Sequence, residues 1–458
     1  MPRNLVVHGH FYQPPRHDPA TGEIPREPEA APYHDFNEKI LAECYRPNAE
    51  LGNFDRLSFD LGPTLGEWLR LRHPEVLARI GAADRAAVDR TGYGNALMQS
   101  FHHTILPLAT TRDRGTELRW GTRWFSHVFG RQPRGIWLPE TAVDTATLEA
   151  CVDEGLEFTI LSPEQAAAPA DSRHPYQVTL PSGRDFGVVF YEGGLSGTVS
   201  FDPIATNSSR EFLERFVLPR FDADDPDDPQ TITIASDGEV YGHHHRFKDY
   251  FLQDLLYARA EEAGLQVVSS EQLLALPQPR RETAIRERSS WGCAHQLLRW
   301  SGDCDCTPGS GQWKADLRRA LDRLAARVDD LTQRAGGAFD IWALRDDYVD
   351  VIMGAVTLTG WLAAHGIEPE SDDAGRVTRL LEAQRHRLAM YASCAFYWDD
   401  LTRIEAGYGV RSALYAASML DQSFGSDLAA GFTADLDSVV GWKSDRSAAE
   451  LYASSAAR

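Results

Sequence analysis

Cysteine is scarce in this chain, six residues in 458, too few and too scattered for a disulfide framework. Basic residues are outnumbered as well, 46 Lys and Arg against 67 Asp and Glu, for a formal charge of -21 at pH 7. Surfaces that bind nucleic acid or an anionic membrane need clustered Lys and Arg, so neither partner is expected. A neutral substrate fits better. Long apolar runs are missing too: no stretch approaches the roughly 18 apolar residues of a membrane span. The opening MPRNLVVHGHFYQPP has no long apolar h-region, and a cytoplasmic protein is expected. Internal repeats and low-complexity tracts are lacking. The glycine-rich YEGGLSG has no strand-to-helix phosphate fingerprint, and no G-x-S-x-G elbow accompanies the serines. No cofactor is therefore called for.

What is present is the composition of a soluble globular protein, 43% hydrophobic and 25% charged. The length predicts two or three domains. Short apolar runs recur through the first 280 residues, in NLVVHGH, DRLSFDLGP, GNALMQSF, RGIWLPE, EFTILSP, FGVVFYEGG, TITIASDGE and LQVVSSE. They read as buried parallel strands. Helical patterns such as GPTLGEWLRLRHPEVLARI and TATLEACVDEG fall between several of them. This alternation predicts βα units closing, or nearly closing, into a barrel. After about residue 280 the apolar spacing becomes helical, and LPQPRRETAIRERSS reads as the join. The expected domains are 1–280, an α/β barrel, and 281–458, an α-helical domain closing the cleft. An acidic loop, FDADDPDDPQ at 221–230, is expected ahead of TITIAS.

His8, His10, Glu140, Glu192, Asp237 and Glu239 each follow the apolar stretch of a predicted strand, at the rim where barrel enzymes build their sites. For any one acid the plainer expectation is a helix cap, and Glu140 and Asp144 both stand where the next helix would begin. Several acids on one rim are harder to explain so. The densest stretch is SDGEVYGHHH at 236–245, where two acids and three histidines would be costly as a purely structural feature. Cleavage of a glycoside needs an acid on each of two strand ends, one as nucleophile and one to protonate the leaving oxygen. Glu140 and Asp237 are the candidates. Trp137 and Tyr241 are expected to offer aromatic faces to a sugar.

The motifs HGHFYQPP, HHTILPL, GIWLPE and SDGEVYG occur in the order and setting of the conserved regions of glycoside hydrolase family 57, which this chain resembles over about its first 280 residues. The resemblance implies an incomplete (β/α)7 barrel followed by helical segments, and retaining chemistry on α-glucans of the amylase, 4-α-glucanotransferase or branching-enzyme kind. It implies Glu140 as nucleophile and Asp237 as general acid/base, with Glu239 as companion and Tyr241 in place of the usual Phe. His10 and His103 resemble substrate-contacting histidines, and His8 and His243 are counted with them. An oligosaccharide or polysaccharide would be the partner. Two alternatives stand beside this reading. A metal-dependent hydrolase of the amidohydrolase or deacetylase type would use His8, His10 and Asp237 as ligands, and an inactive glycan-binding protein would keep the barrel alone. Separately, Cys293, His295, Cys304 and Cys306 have spacing that suits zinc but matches no standard finger. The sugar, its linkage, hydrolysis versus transfer and the oligomeric state are not encoded in these patterns.

Overall fold

The computed structural model of the protein describes residues 3–222 and 228–452. Most of the predicted acidic loop, residues 223–227, lies outside them. The chain divides into two compact units: the first holds the N-terminal stretch through Gln13, Arg26–Gln99 and Phe125–Trp291, and the second holds Pro14–Pro25, Ser100–Trp124 and Gly292 onward.

Ten strands belong to the first unit: β1 (Arg3–Phe11), β2 (Ser58–Leu61), β3 (Ala96–Leu97), β4 (Gly135–Ile136), β5 (Phe158–Leu161), β6 (Pro175–Thr179), β7 (Asp185–Phe190), β8 (Gln230–Asp237), β9 (Leu265–Val267) and β10 (Arg281–Glu282). They form one sheet ordered β3-β2-β1-β8, with β9 also on β1, and a second ordered β10-β6-β7-β5-β4. Two links join the sheets. A parallel bridge between Met98 and Ile136 carries β3 onto β4, and the Glu192 N–H donates to the Thr233 carbonyl at 2.7 Å, tying the end of β7 to β8. Seven parallel strands, β1 to β5, β7 and β8, thus make a (β/α)7 barrel whose last seam is thin. Between β5 and β7, β6 adds an antiparallel pair with β7.

Period-two alternation decides what enters the barrel. Val6, Leu97, Phe158, Ile160, Val189 and Ala235 meet in one buried cluster, with Val268, Leu273 and Leu274 also in it. On β1 the residues in phase with Val6 are His8 and His10. On β8 the residue in phase with Ala235 is Asp237. The apolar interior therefore gives way to polar groups at the C-terminal strand ends. Composition placed residues 281–291 with the helical half, but β10 pairs with β6 and Ile285 and Ser289 bridge to Ala166 and Val143. Backbone pairing, which local composition does not encode, keeps them in the first unit.

The second unit is helical, built on Gln312–Ala335, Asp372–Ala389, Ile404–Phe424 and Leu428–Leu436. Its interior holds a charged network. Arg345 donates to Asp113 at 3.0 Å, Arg387 also reaches Asp113, and its other nitrogen meets Asp329 at 2.9 Å. Buried charges of this kind persist only when mutually paired. No helix among the described residues is long and apolar enough to cross a membrane.

Candidate active site

Register on three adjacent strands assembles the centre of the site. His10 lies opposite Asp60 of β2 and Asp237 of β8. Asp60, wholly buried, bridges two histidines: its Oδ1 meets His8 Nε2 at 2.9 Å and its Oδ2 meets His10 Nδ1 at 2.9 Å. The Gln99 amide, just past β3, also donates to Asp60. The second ring nitrogen of His8 faces Ser58 Oγ at 3.1 Å. Both nitrogens of His8 are therefore engaged by side chains of β2.

The electrostatics follow from this packing. Burial keeps His8 below its ordinary value despite Asp60. Burial works against a charge on His10 too, but Asp60, aided by Asp237 and Glu239, outweighs it and raises His10 from 6.5 to about 9. Burial likewise opposes the Asp60 carboxylate, and His10 and His8 hold it below the usual carboxylate range. At neutral pH the trio is a neutral His8, an anionic Asp60 and a cationic His10. The rings of His8 and His10 stack on Trp137 with centroids 4.8 and 5.2 Å away. Trp137 is entirely buried and Tyr241 is 1% exposed, so neither offers the open sugar platform expected of it. Trp137 directly follows β4, and its ring turns inward against the buried cluster of the barrel.

Glu140 stands in a short turn, Pro139–Thr141, with φ 58° and ψ 21°; Thr141 follows with φ 50°. Left-handed backbone at two successive residues with side chains is costly and clusters at functional sites. The turn is clamped. Gln165 Nε2 donates to the Thr141 carbonyl at 2.8 Å, the Thr141 hydroxyl donates to Gln165 Oε1 at 2.8 Å, and the Trp291 backbone N–H donates to that hydroxyl at 2.9 Å. The half-buried Trp291 also donates its indole N–H to Glu140 Oε2 at 3.1 Å, and its ring centroid lies 6.2 Å from His10. Asp144, the neighbouring acid, does the capping: it accepts from Thr147 N at 2.8 Å on the helix Thr145–Asp153. Glu192 is a cap as well, accepting from Leu195 N on the helix Gly193–Phe201.

On β8 the two acids divide. Asp237 is exposed, whereas Glu239 is 5% exposed and accepts the Tyr45 hydroxyl at 2.6 Å. Burial first, and then the Asp237 charge, raises Glu239 from 4.5 to about 7. His243 meets Glu43 Oε2 at 2.6 Å. Glu43 and Tyr45 share a π-helical turn, Leu41–Tyr45, a distortion frequent at functional sites. Gly242, at φ +144°, lets the chain pass within contact of that turn, since a Cβ there would fall 2.2 Å from the Glu43 carbonyl oxygen. His103 belongs to the second unit, at φ 58°, with Nδ1 2.7 Å from Ser393 Oγ. Asp60, Gln99, Glu43 and Tyr45 were not singled out from sequence. Asp60 alone carried a visible signal, an acid ending the strand of DRLSFDLGP.

Comparison with known proteins places this geometry. The model for "Glycosyl hydrolase family 57" matches residues 19–286, and a "Domain of unknown function (DUF3536)" matches 310–456; the stretch between them lies in neither. An α-amylase 1 from Dictyoglomus thermophilum is 23% identical over 126 residues, 27% of this chain and only 16% of the relative's length. A maltose-forming exo-amylase structure from Pyrococcus sp. ST04 aligns with a TM-score of 0.75 at 13% identity, over 95% of this chain and 83% of that one. A branching enzyme from Pyrococcus horikoshii aligns at 0.63 and 16% identity, over 94% of each chain. These likenesses establish the fold. The family match spans more than half the residues and includes both rim acids, and the chain belongs to glycosyl hydrolase family 57.

Proposed function

We propose that this protein is a retaining enzyme acting on α-glucans, a hydrolase or transglycosylase, in which Glu140 is the nucleophile and Asp237 the general acid/base. The observation that carries the reading is the contrast at the two strand ends. Glu140 is held at a strained, clamped turn with an indole N–H on its carboxylate, and Asp237 is the solvent-reaching member of the β8 pair.

In the first step a Glu140 oxygen attacks the anomeric carbon as Asp237 protonates the departing glycosidic oxygen. The second step reverses the roles: Asp237 takes a proton from water or from a sugar hydroxyl, which displaces Glu140. Two inversions leave the anomeric configuration unchanged. The cationic His10 lies in register with Asp237. The wholly buried Trp137 and His8 act behind this surface, as supports. Substrate contact by His10, His103 and His243 is part of the proposal. So is a cytoplasmic location, which agrees with six cysteines none of which is in a disulfide.

The test is incubation with maltooligosaccharides and glycogen, reading product lengths and branch content, followed by chemical rescue. Glu140→Ala and Asp237→Ala should each lower turnover by several orders of magnitude with the fold intact. With an activated α-glycoside, azide should convert Glu140→Ala into a producer of the β-glycosyl azide and Asp237→Ala into a producer of the α-azide. Near wild-type cleavage by Glu140→Ala would remove it from the chemistry.

A further inference from the structure

We propose that Cys293, His295, Cys304 and Cys306 form a structural zinc site. Their four ligand atoms lie within 4.8 Å of one another. Three of the six spacings are tighter: Cys293 Sγ to Cys304 Sγ is 3.6 Å, and His295 Nδ1 lies 3.3 Å from both Cys304 Sγ and Cys306 Sγ. Zinc bonds of about 2.3 Å to sulfur and 2.0–2.1 Å to nitrogen place tetrahedral ligands roughly 3.5–3.8 Å apart. The Cys293–Cys304 spacing falls on such an edge, and the two His295 contacts are slightly shorter. A disulfide does not compete for this geometry, since bonded sulfurs lie about 2.05 Å apart.

Charge agrees with the metal. Binding converts the thiols to thiolates, their protons passing to solvent, and three thiolates with one neutral imidazole around a divalent ion leave a net charge of about -1. Lys314 is wholly buried, with its Nζ fixed on the Arg299 carbonyl at 2.9 Å and on Oγ1 of Thr307, the residue after Cys306, at 3.2 Å. A buried ammonium beside an anionic zinc centre neutralises it. The His295 backbone N–H also points to Cys293 Sγ at 3.4 Å, a contact that steadies a thiolate.

The site has a structural reason to exist. Between Gly292 and Gly311 regular structure is limited to one short helix, Leu298–Ser301, and the backbone turns left-handed at Gln296 and Leu297, with φ of 53° and 68°. A stretch so poor in backbone pairing gains order from a cross-link. With four protein ligands no position is open to water, so the metal would pin this segment onto itself and take no part in the reaction.

The experiment uses the full chain purified from zinc-supplemented culture. One zinc per chain should survive dialysis without chelator, and its removal by a chelator should lower the unfolding temperature reversibly. Cobalt added to the stripped protein should give the intense visible bands of tetrahedral thiolate coordination, and zinc should bleach them. Cys304→Ser with Cys306→Ser should lose the zinc, while Cys151→Ser, a buried cysteine elsewhere, should keep it. Folded wild-type protein that holds no zinc and gives no cobalt bands would overturn the site, as would zinc retained in full by the double variant. The cobalt titration needs only wild-type protein, so the proposal stays testable if the double variant does not fold.

Discussion

Asp60→Asn removes the charge at the centre of the barrel while keeping nearly the same shape. His10 sits at about 9 against an ordinary 6.5, a difference worth about 3 kcal/mol in favour of the folded imidazolium. His10 is 6% exposed, so solvent screens little of it. Breaking a buried pair by deleting one partner costs about 3–5 kcal/mol in general, the same size. The pH dependence gives the sharper test. Because His10 titrates higher folded than unfolded, its stabilisation is whole below about 6.5 and fades as pH rises through about 9. The variant should be less stable than the wild type by about 3 kcal/mol near pH 6, and the two should converge toward about pH 9.5. Urea unfolding followed by tryptophan fluorescence across that range reads both quantities. A pH-independent difference, or none, would refute the assignment of a cationic His10 to Asp60.

Two further outcomes are expected. Trp291→Phe keeps an aromatic ring but removes the N–H on Glu140, and a hydrogen bond to a charged group is worth about 1.5–3 kcal/mol; kcat/KM on a cleaved maltooligosaccharide should fall by at least about tenfold, and an unchanged value would show that the indole does not position Glu140. Glu239 titrates at about 7 folded against 4.5 ordinarily, so the stability tied to its proton is present below about 4.5 and lost as pH rises through about 7. Glu239→Gln still accepts from Tyr45 and escapes that loss, so it should be more stable than the wild type near pH 8; urea unfolding showing the reverse would count against the raised value.

The catalytic candidates were legible because strand ends are legible. An apolar run followed by an acid, in RGIWLPE and TITIASDGE, marks a rim position before any coordinates exist. Their supports were hidden by distance. Asp60 reaches His10 only through the β1–β2 register, and Tyr45 meets Glu239 across 194 positions of sequence. The distinction between Glu140 and the capping Asp144 depended on where the helix begins, which is Thr145. Trp137 misled because adjacency to an acid says nothing of which way a ring turns. The assignment of Pro14–Pro25 and Ser100–Trp124 to the second unit left no trace in composition, since those segments resemble their neighbours and differ only in what they pack against.

The left-handed pair Glu140 and Thr141 also sets stability against activity. Each holds a conformation costing about 1 kcal/mol or more that glycine or asparagine would relieve, and Thr, branched at Cβ, is poorly suited to it. Under the proposed chemistry, replacing either residue with glycine or asparagine would relieve the strain and stabilise the barrel at the expense of activity. The two residues thus store strain for which the proposed chemistry is the reason.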